Sequence, residues 1–92
     1  MSEVTFEWDE DKRQRNLRLR RADFADAQRF DFDSAFTEQD LRRDYGEVRL
    51  VSTGYLDGRL YVLCWTLRGD RIRVISLRKA NDREQKKHTD RA

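Results

Sequence analysis

Residues 47–78, EVRLVSTGYLDGRLYVLCWTLRGDRIRVISLR, decide the fold. They divide into three runs of β-branched, aromatic and aliphatic residues: EVRLVSTGYL, RLYVLCWTL and RIRVISLR. Asp57-Gly58 separates the first two. It is a strong two-residue hairpin signal, because a type I′ turn needs positive φ at both central positions. Gly69-Asp70 turns the second hairpin. The middle run is apolar on both faces and belongs at the centre of a sheet. Two-residue loops at both turns place Leu50 opposite Trp65, and Trp65 opposite Val74. Val48, Leu63, Leu67 and Ile72 join them on a core-facing side. One residue over, Arg49 lies opposite Thr66 and Thr66 opposite Arg73. Val51, Val62, Cys64, Ile75 and Leu77 share this second face. A bulge in either hairpin would break the Arg49–Thr66–Arg73 set.

Outward from this meander the signals are shorter. VTFEW (4–8) alternates like a first strand. Asp9 caps a following helix, with Glu10 and Asp11 in the first turn, where the helix dipole favours acids. Asp9–Arg13 and Asp11–Arg15 are spaced for helical ion pairs, and Leu17 is the apolar anchor. Asp23 caps a second short helix whose buried side is Phe24, Ala27 and Phe30. DFDSAFTEQDLRRDYGE (31–47) reads as an acidic, irregular stretch pinned by Phe32 and Phe36. KANDREQKKH (79–88) has no breaker and reads as a C-terminal helix or arm. The expectation is an α+β domain spanning residues 1–92: N-terminal helices packed on an antiparallel sheet, a three-stranded C-terminal meander and a short C-terminal helix.

Ninety-two residues suffice for a single domain with a marginal core. Charged residues make up 41% of the chain and apolar ones 37%, with ten aromatics among them. The longest uncharged run, LYVLCWTL, has eight residues and is far too short for a membrane span. No basic segment followed by an apolar one opens the chain, so no signal peptide is expected. Cys64 is alone in an apolar strand. That excludes a disulfide framework, points to a buried structural thiol and fits a reducing cytoplasm.

The net charge of +2 conceals segregation. Residues 12–21 carry six bases and no acid, residues 23–47 eight acids against three bases, and residues 71–92 eight bases against three acids. Such patterning steers charged partners, although solvated surface is the simpler reading of any one residue. Two guanidiniums and a hydroxyl converging at Arg49, Thr66 and Arg73 would bind a phosphate through charge-assisted bonds. The alternative pairs both arginines with acids such as Glu47 or Asp70. One His and one Cys, with no carboxylate cluster at ligand spacing, give no metal site, and the four glycines form no phosphate loop. No cofactor is expected.

FEWDEDKRQRN (6–16), DFADAQRFD (23–31), YGEVRLVSTGYLDGRLYVLCWT (45–66) and RGDRIRVISLRKANDRE (68–84) together resemble the BrnT family of bacterial type II toxins. The resemblance implies a RelE-like fold and a ribonuclease that arrests translation. It implies neutralisation by a BrnA-type antitoxin, a heterotetramer joined through that antitoxin, and contact with DNA only indirectly through it. The family's basic set falls on Lys12, Arg49, Arg73, Arg78 and Arg83, with Glu84 as the acid of its C-terminal arginine-glutamate pair. One departure stands out. After the Asn16 position the family usually shows lysine-histidine-glycine, and this chain has Leu19, Arg20 and Arg21. A mechanism needing that histidine lacks it here, which admits a weakened toxin.

Metal-independent RNA cleavage sends the 2′-hydroxyl onto the adjacent phosphorus. It needs a base, cations for the crowded phosphorane and an acid for the leaving oxygen. The expectation is that Arg49, Arg73 and Arg78 hold the scissile phosphate, and that Lys12 or Arg83 reaches a neighbouring one. Glu84 and His88 are the candidates for proton transfer. Their simpler readings are a helix ion-pair partner and a solvated tail histidine. Tyr61 or Tyr55 could stack on a base, core packing being the alternative. From another class comes a non-catalytic module binding RNA, DNA or an acidic partner. A third option makes the acidic segment 31–47, through Asp33, Glu38 and Asp40, a dock for a basic antitoxin segment.

Overall fold

The computed structural model describes residues 4–91. Its elements are β1 (Thr5–Trp8), α1 (Glu10–Arg20), a 3-10 helix (Phe24–Arg29), β2 (Phe36–Gln39), β3 (Leu50–Leu56), β4 (Arg59–Arg68), β5 (Arg71–Lys79) and α2 (Asp82–Arg91). The strands form one sheet in the order β1-β5-β4-β3-β2, with β4 central as its two apolar faces require. The α+β expectation holds, but the sheet is mixed: β1 pairs parallel to β5 while the other pairings are antiparallel. A fifth strand, β2, lies within the stretch expected to be irregular.

The hairpins follow their turn residues. Asp57 and Gly58 both have positive φ, 51° and 81°, as a type I′ turn demands. Gly69 has φ 62° and Asp70 does not share the sign, the pattern of a type II′ turn. Leu50 pairs with Trp65, Trp65 with Val74, and Thr66 with Arg73, so the inferred register holds at that end. Then a bulge intervenes. Cys64 faces Ser76 while Trp65 faces Val74, which leaves Ile75 as the extra residue. Beyond it, Leu77 comes opposite Leu63, and both are fully buried on the first face. Ser76 and Arg78 therefore occupy the second face, opposite Cys64 and Val62, where Ile75 and Leu77 had been expected. The bulge spares the Thr66–Arg73 pairing and brings Arg78 to the same side of the sheet.

The main core lies on the first face. Phe24, Ala27 and Phe30 from the 3-10 helix region pack against Leu56, Leu63, Val74 and Leu77, with Phe32 and Trp65 completing the cluster. Gly54 gives Phe30 its seat: a Cβ there would stand 2.8 Å from the Phe30 ring and 2.8 Å from the Ala35 methyl. The core side stops short of the β4–β5 turn, where Leu67 and Val48 are exposed instead of buried. Helix α1 buries none of its side chains, and Leu17 is exposed rather than its anchor. It is tethered by polar contacts. Arg13 binds Asp23 with Nε 2.7 Å from Oδ1, in place of the expected Asp9–Arg13 spacing pair. Asn16 reaches the stretch of β5 that β1 leaves unpaired. Its Nδ2 donates to the Leu77 carbonyl at 2.8 Å and to the Ala22 carbonyl at 2.9 Å, and its Oδ1 accepts from the Leu77 amide at 3.4 Å. One carboxamide thus stands in for a neighbouring strand.

Helix α2 crosses the second face at second-face positions of three strands. Glu84 binds Arg78, the His88 ring stands edge-on to Tyr55 at 5.5 Å, and the Arg91 guanidinium lies 3.5 Å over the Phe36 ring. Asn81 caps the helix: its Oδ1 accepts from the Glu84 amide at 2.8 Å, and Glu84 Oε1 accepts from the Asn81 amide at 2.9 Å, a reciprocal capping box.

Candidate active site

Arg49, Arg73 and Arg78 all sit on the second face, but they do not meet. Arg78 faces Val62 and Arg73 faces Thr66, four β4 residues away, or about 13 Å along the strand. Each is also held by its own carboxylate. Arg49 Nε lies 3.4 Å from Glu47, with its guanidinium 4.1 Å over the Tyr45 ring. Arg73 Nη1 lies 2.7 Å from Glu7. Arg78 makes a two-pronged contact with Glu84, both bonds at 2.8 Å. The Thr66 hydroxyl donates to the Val48 carbonyl at 2.6 Å and has no proton left for a phosphate. A single grip of two guanidiniums and a hydroxyl is therefore absent in this conformation.

The other expected residues are dispersed. Tyr61 packs against the first-face core. Lys12 and Arg83 are exposed on α1 and α2. His88 is half-buried, not a solvated tail residue, with Nδ1 enclosed and unpartnered. It lines a separate small cavity with Phe36 and Arg91. Glu84 is committed three ways, to Arg78, to the Asn81 amide and through its own amide to Asn81. The Arg78 bonds foremost, then the Asn81 amide, hold its carboxyl below the usual glutamate range. A proton acceptor so engaged is a poor general base.

What the second face does assemble is a cavity of about 420 Å³ between the sheet and the C-terminal end of α1. Val51, Val62, Cys64 and Ser76 form its floor. Arg20, Arg42 and Arg78 stand around it, with Glu38 and Asp40. Arg20 also lines two adjoining hollows. One is shared with Lys12 and Arg15, the other with Arg78 and Lys79. Arg20, Lys12, Arg15 and Lys79 have no carboxylate partner among the described residues, so a run of uncommitted cations leads out of the cavity. Asp40 is the opposite case. Its side chain is 2% exposed, bonded to Arg42 Nη2 at 2.8 Å and to the Tyr45 hydroxyl at 3.0 Å. The Arg42 bond above all holds its carboxyl far below the usual range. Asp40 is therefore a strut and not part of an open acidic dock. At the floor, burial pushes the Cys64 thiol up, and the Arg49 and Arg42 charges oppose that rise. A neutral thiol on an apolar floor is no nucleophile.

A family model described as the ribonuclease toxin BrnT of type II toxin–antitoxin systems matches residues 8–84. The chain belongs to that family. No curated protein matches it. Membership of the BrnT family makes the chain a ribonuclease toxin with a protein antitoxin as its counterpart and RNA as its target. The matched segment runs from Trp8 at the end of β1 to Glu84 in the first turn of α2, so it contains every residue around the second-face cavity.

Sequence reasoning gave Arg42 no role, noted Arg20 and Asn16 only as family-pattern positions, and read Glu38 as part of an acidic dock instead of this cavity. Arg20 lay inside a basic run and was noted only for standing where the family pattern has a histidine. Its position at the last residue of α1 was the available signal, since a helix end abutting a sheet places side chains over the sheet's face. Among the described residues no group of three or more His, Cys, Asp and Glu side chains could hold a metal, and no helix is long and apolar enough to cross a membrane.

Proposed function

We propose that this BrnT-family toxin cleaves RNA without a metal, in the second-face cavity, and that a BrnA-type antitoxin neutralises it in the cytoplasm within a heterotetramer. The observation that carries the site is the convergence of Arg20, Arg42 and Arg78 over an apolar floor wide enough for a nucleotide, with Lys12, Arg15 and Lys79 continuing the cationic track. Guanidinium donors lining one volume suit a phosphorane, on which negative charge accumulates in the transition state. The ion pair to Glu84 does not disable Arg78. A guanidinium has five N–H donors; the carboxylate takes two and the Lys79 carbonyl a third, so the other two can meet a phosphate oxygen. Arg49 and Arg73, at the other end of the same face, are then proposed to hold a flanking phosphate rather than the scissile one. Arg83 and Lys12 serve more distant ones. Glu84 positions Arg78. His88 holds α2 against Tyr55 and does not transfer the proton.

The test is cleavage of a single-stranded RNA in excess EDTA. The wild type is expected to cut, leaving a 2′,3′-cyclic phosphate and a 5′-hydroxyl. Arg20→Ala and Arg78→Ala should each lose about 10²–10³-fold in kcat/KM, the loss typical of one transition-state donor. Glu84→Gln, which loosens α2 but keeps the guanidinium, should lose far less. Activity abolished by the chelator and restored by a divalent ion would refute the metal-free mechanism. One observation favours a second reading: every arginine first expected at the phosphate is already neutralised by a carboxylate. A module that only binds RNA would show salt-sensitive binding and no cleavage.

A further inference from the structure

We infer that Glu38 is the general base of the reaction, an inference that rests on the metal-free cleavage proposed above. Two carboxylates line the second-face cavity, Glu38 and Asp40. Asp40 is spent on Arg42 and Tyr45 and lies almost wholly buried. Glu38 is exposed and makes no hydrogen bond or ion pair among the described residues. Asp11, Asp33, Asp70 and Asp90 are similarly free among the described residues but do not line this cavity, while Glu7, Glu10, Asp23, Glu47, Asp57 and Glu84 are each held by an arginine. Backbone register explains where Glu38 points. It pairs with Val51 across β2 and β3, and Val51 forms part of the cavity floor, so both side chains project from the same face. The other two proton carriers of the region are unsuited. Glu84 is fixed by Arg78 and the helix cap, and the His88 ring lies in a different hollow.

A carboxylate left free beside three guanidiniums that it does not touch is an arrangement a phosphodiester completes. The phosphate oxygens engage the arginines, and the 2′-hydroxyl of the same nucleotide is presented to the carboxylate. Glu38 takes the proton of that hydroxyl as the 2′-oxygen bonds to phosphorus. The bond from phosphorus to the 5′-oxygen breaks, and the departing 5′-oxygen takes a proton from water. Glu38 then returns its proton to the resulting hydroxide. The products are a 2′,3′-cyclic phosphate and a 5′-hydroxyl, with no redox change and no covalent enzyme intermediate.

The experiment measures the pH dependence of kcat/KM on an oligoribonucleotide in EDTA for the wild type, Glu38→Gln and Glu38→Asp. Affinity is measured in parallel, by anisotropy, for the same oligonucleotide carrying 2′-deoxyribose at the scissile position. Glu38→Gln is expected to fall about 10²–10⁴-fold, the usual contribution of general-base catalysis. It should also lose the acidic limb of the wild-type profile while binding the uncleavable analogue as tightly or more tightly. Glu38→Asp should recover part of the rate with an acidic limb. Wild-type cleavage retained within about twofold in Glu38→Gln, or an unchanged acidic limb, overturns this assignment alone. A wild type that releases no cyclic phosphate overturns both this assignment and the reading it rests on. A loss in Glu38→Gln matched by an equal loss of analogue affinity assigns Glu38 to binding and also overturns it.

Discussion

Arg21 ends α1 in the left-handed region, with φ 58°, and its amide closes the helix on the Leu17 carbonyl at 3.0 Å. That geometry belongs to glycine, because a Cβ there crowds the backbone and costs about 1–2 kcal/mol. The sequence offers the anomaly as an arginine where the family resemblance leads one to expect glycine. Arg21→Gly is expected to stabilise the fold by about 0.5–1 kcal/mol, the relieved strain less the extra freedom glycine has when unfolded. Thermal denaturation should record a rise of a few degrees, and a fall would show the turn to be unstrained. Other residues were legible from type alone. Asp57-Gly58 had one good solution, and Asp9 and Asp23 were caps. Pairing of Arg49 with Glu47 was among the alternatives the sequence offered, but Arg73–Glu7 joins positions 66 residues apart and leaves no local trace.

Among the elements, β5 shows where pattern reading stops. Apolar alternation placed Ile75 and Leu77 together on the second face. The bulge after Val74 leaves Ile75 unpaired and turns Leu77 to the first face, and backbone irregularity of this kind has no side-chain signature. The parallel pairing of β1 and the four-residue β2 were equally hidden, since both depend on distant partners. The unpaired stretch of β5 created by the departure of β1 gives Asn16 its role. Asn16→Ala removes partners from the Leu77 amide and carbonyl and should cost about 1–3 kcal/mol in urea denaturation. A change near zero would mean water replaces the carboxamide freely. Helix α2 carries a pH dependence. The carboxyl of Glu84 is depressed by Arg78, so its contribution is complete above the ordinary glutamate pKa of about 4.3 and is lost as pH falls through the lower folded value. Amide exchange in α2 should therefore accelerate in acid before exchange in β4 does. In Glu84→Gln that acid step should be absent.

For the whole molecule, α+β class, central β4, the buried side of the second helix and the helical C-terminus were all legible in the sequence. The site was legible only as a face. Arginines on the second side of the meander were anticipated, but their gathering point moved toward Arg20, Arg42 and Arg78, because α1 closes over the end of the sheet beyond the bulge. A site built partly from uncommitted cations should respond to salt. RNA affinity should fall with salt at a log–log slope of about −0.7 per phosphate neutralised, and Arg15→Ala should flatten that slope by roughly one such unit. The account stands on RNA occupying the second-face cavity. The most direct measurement is NMR of the isotopically labelled protein titrated with an RNA made uncleavable by 2′-deoxyribose at the scissile position. The expected result is that amide shifts concentrate at Arg20, Glu38, Val51, Val62, Cys64 and Arg78. Shifts confined to the exposed Val48–Leu67 end of the first face, with the cavity residues silent, would contradict it.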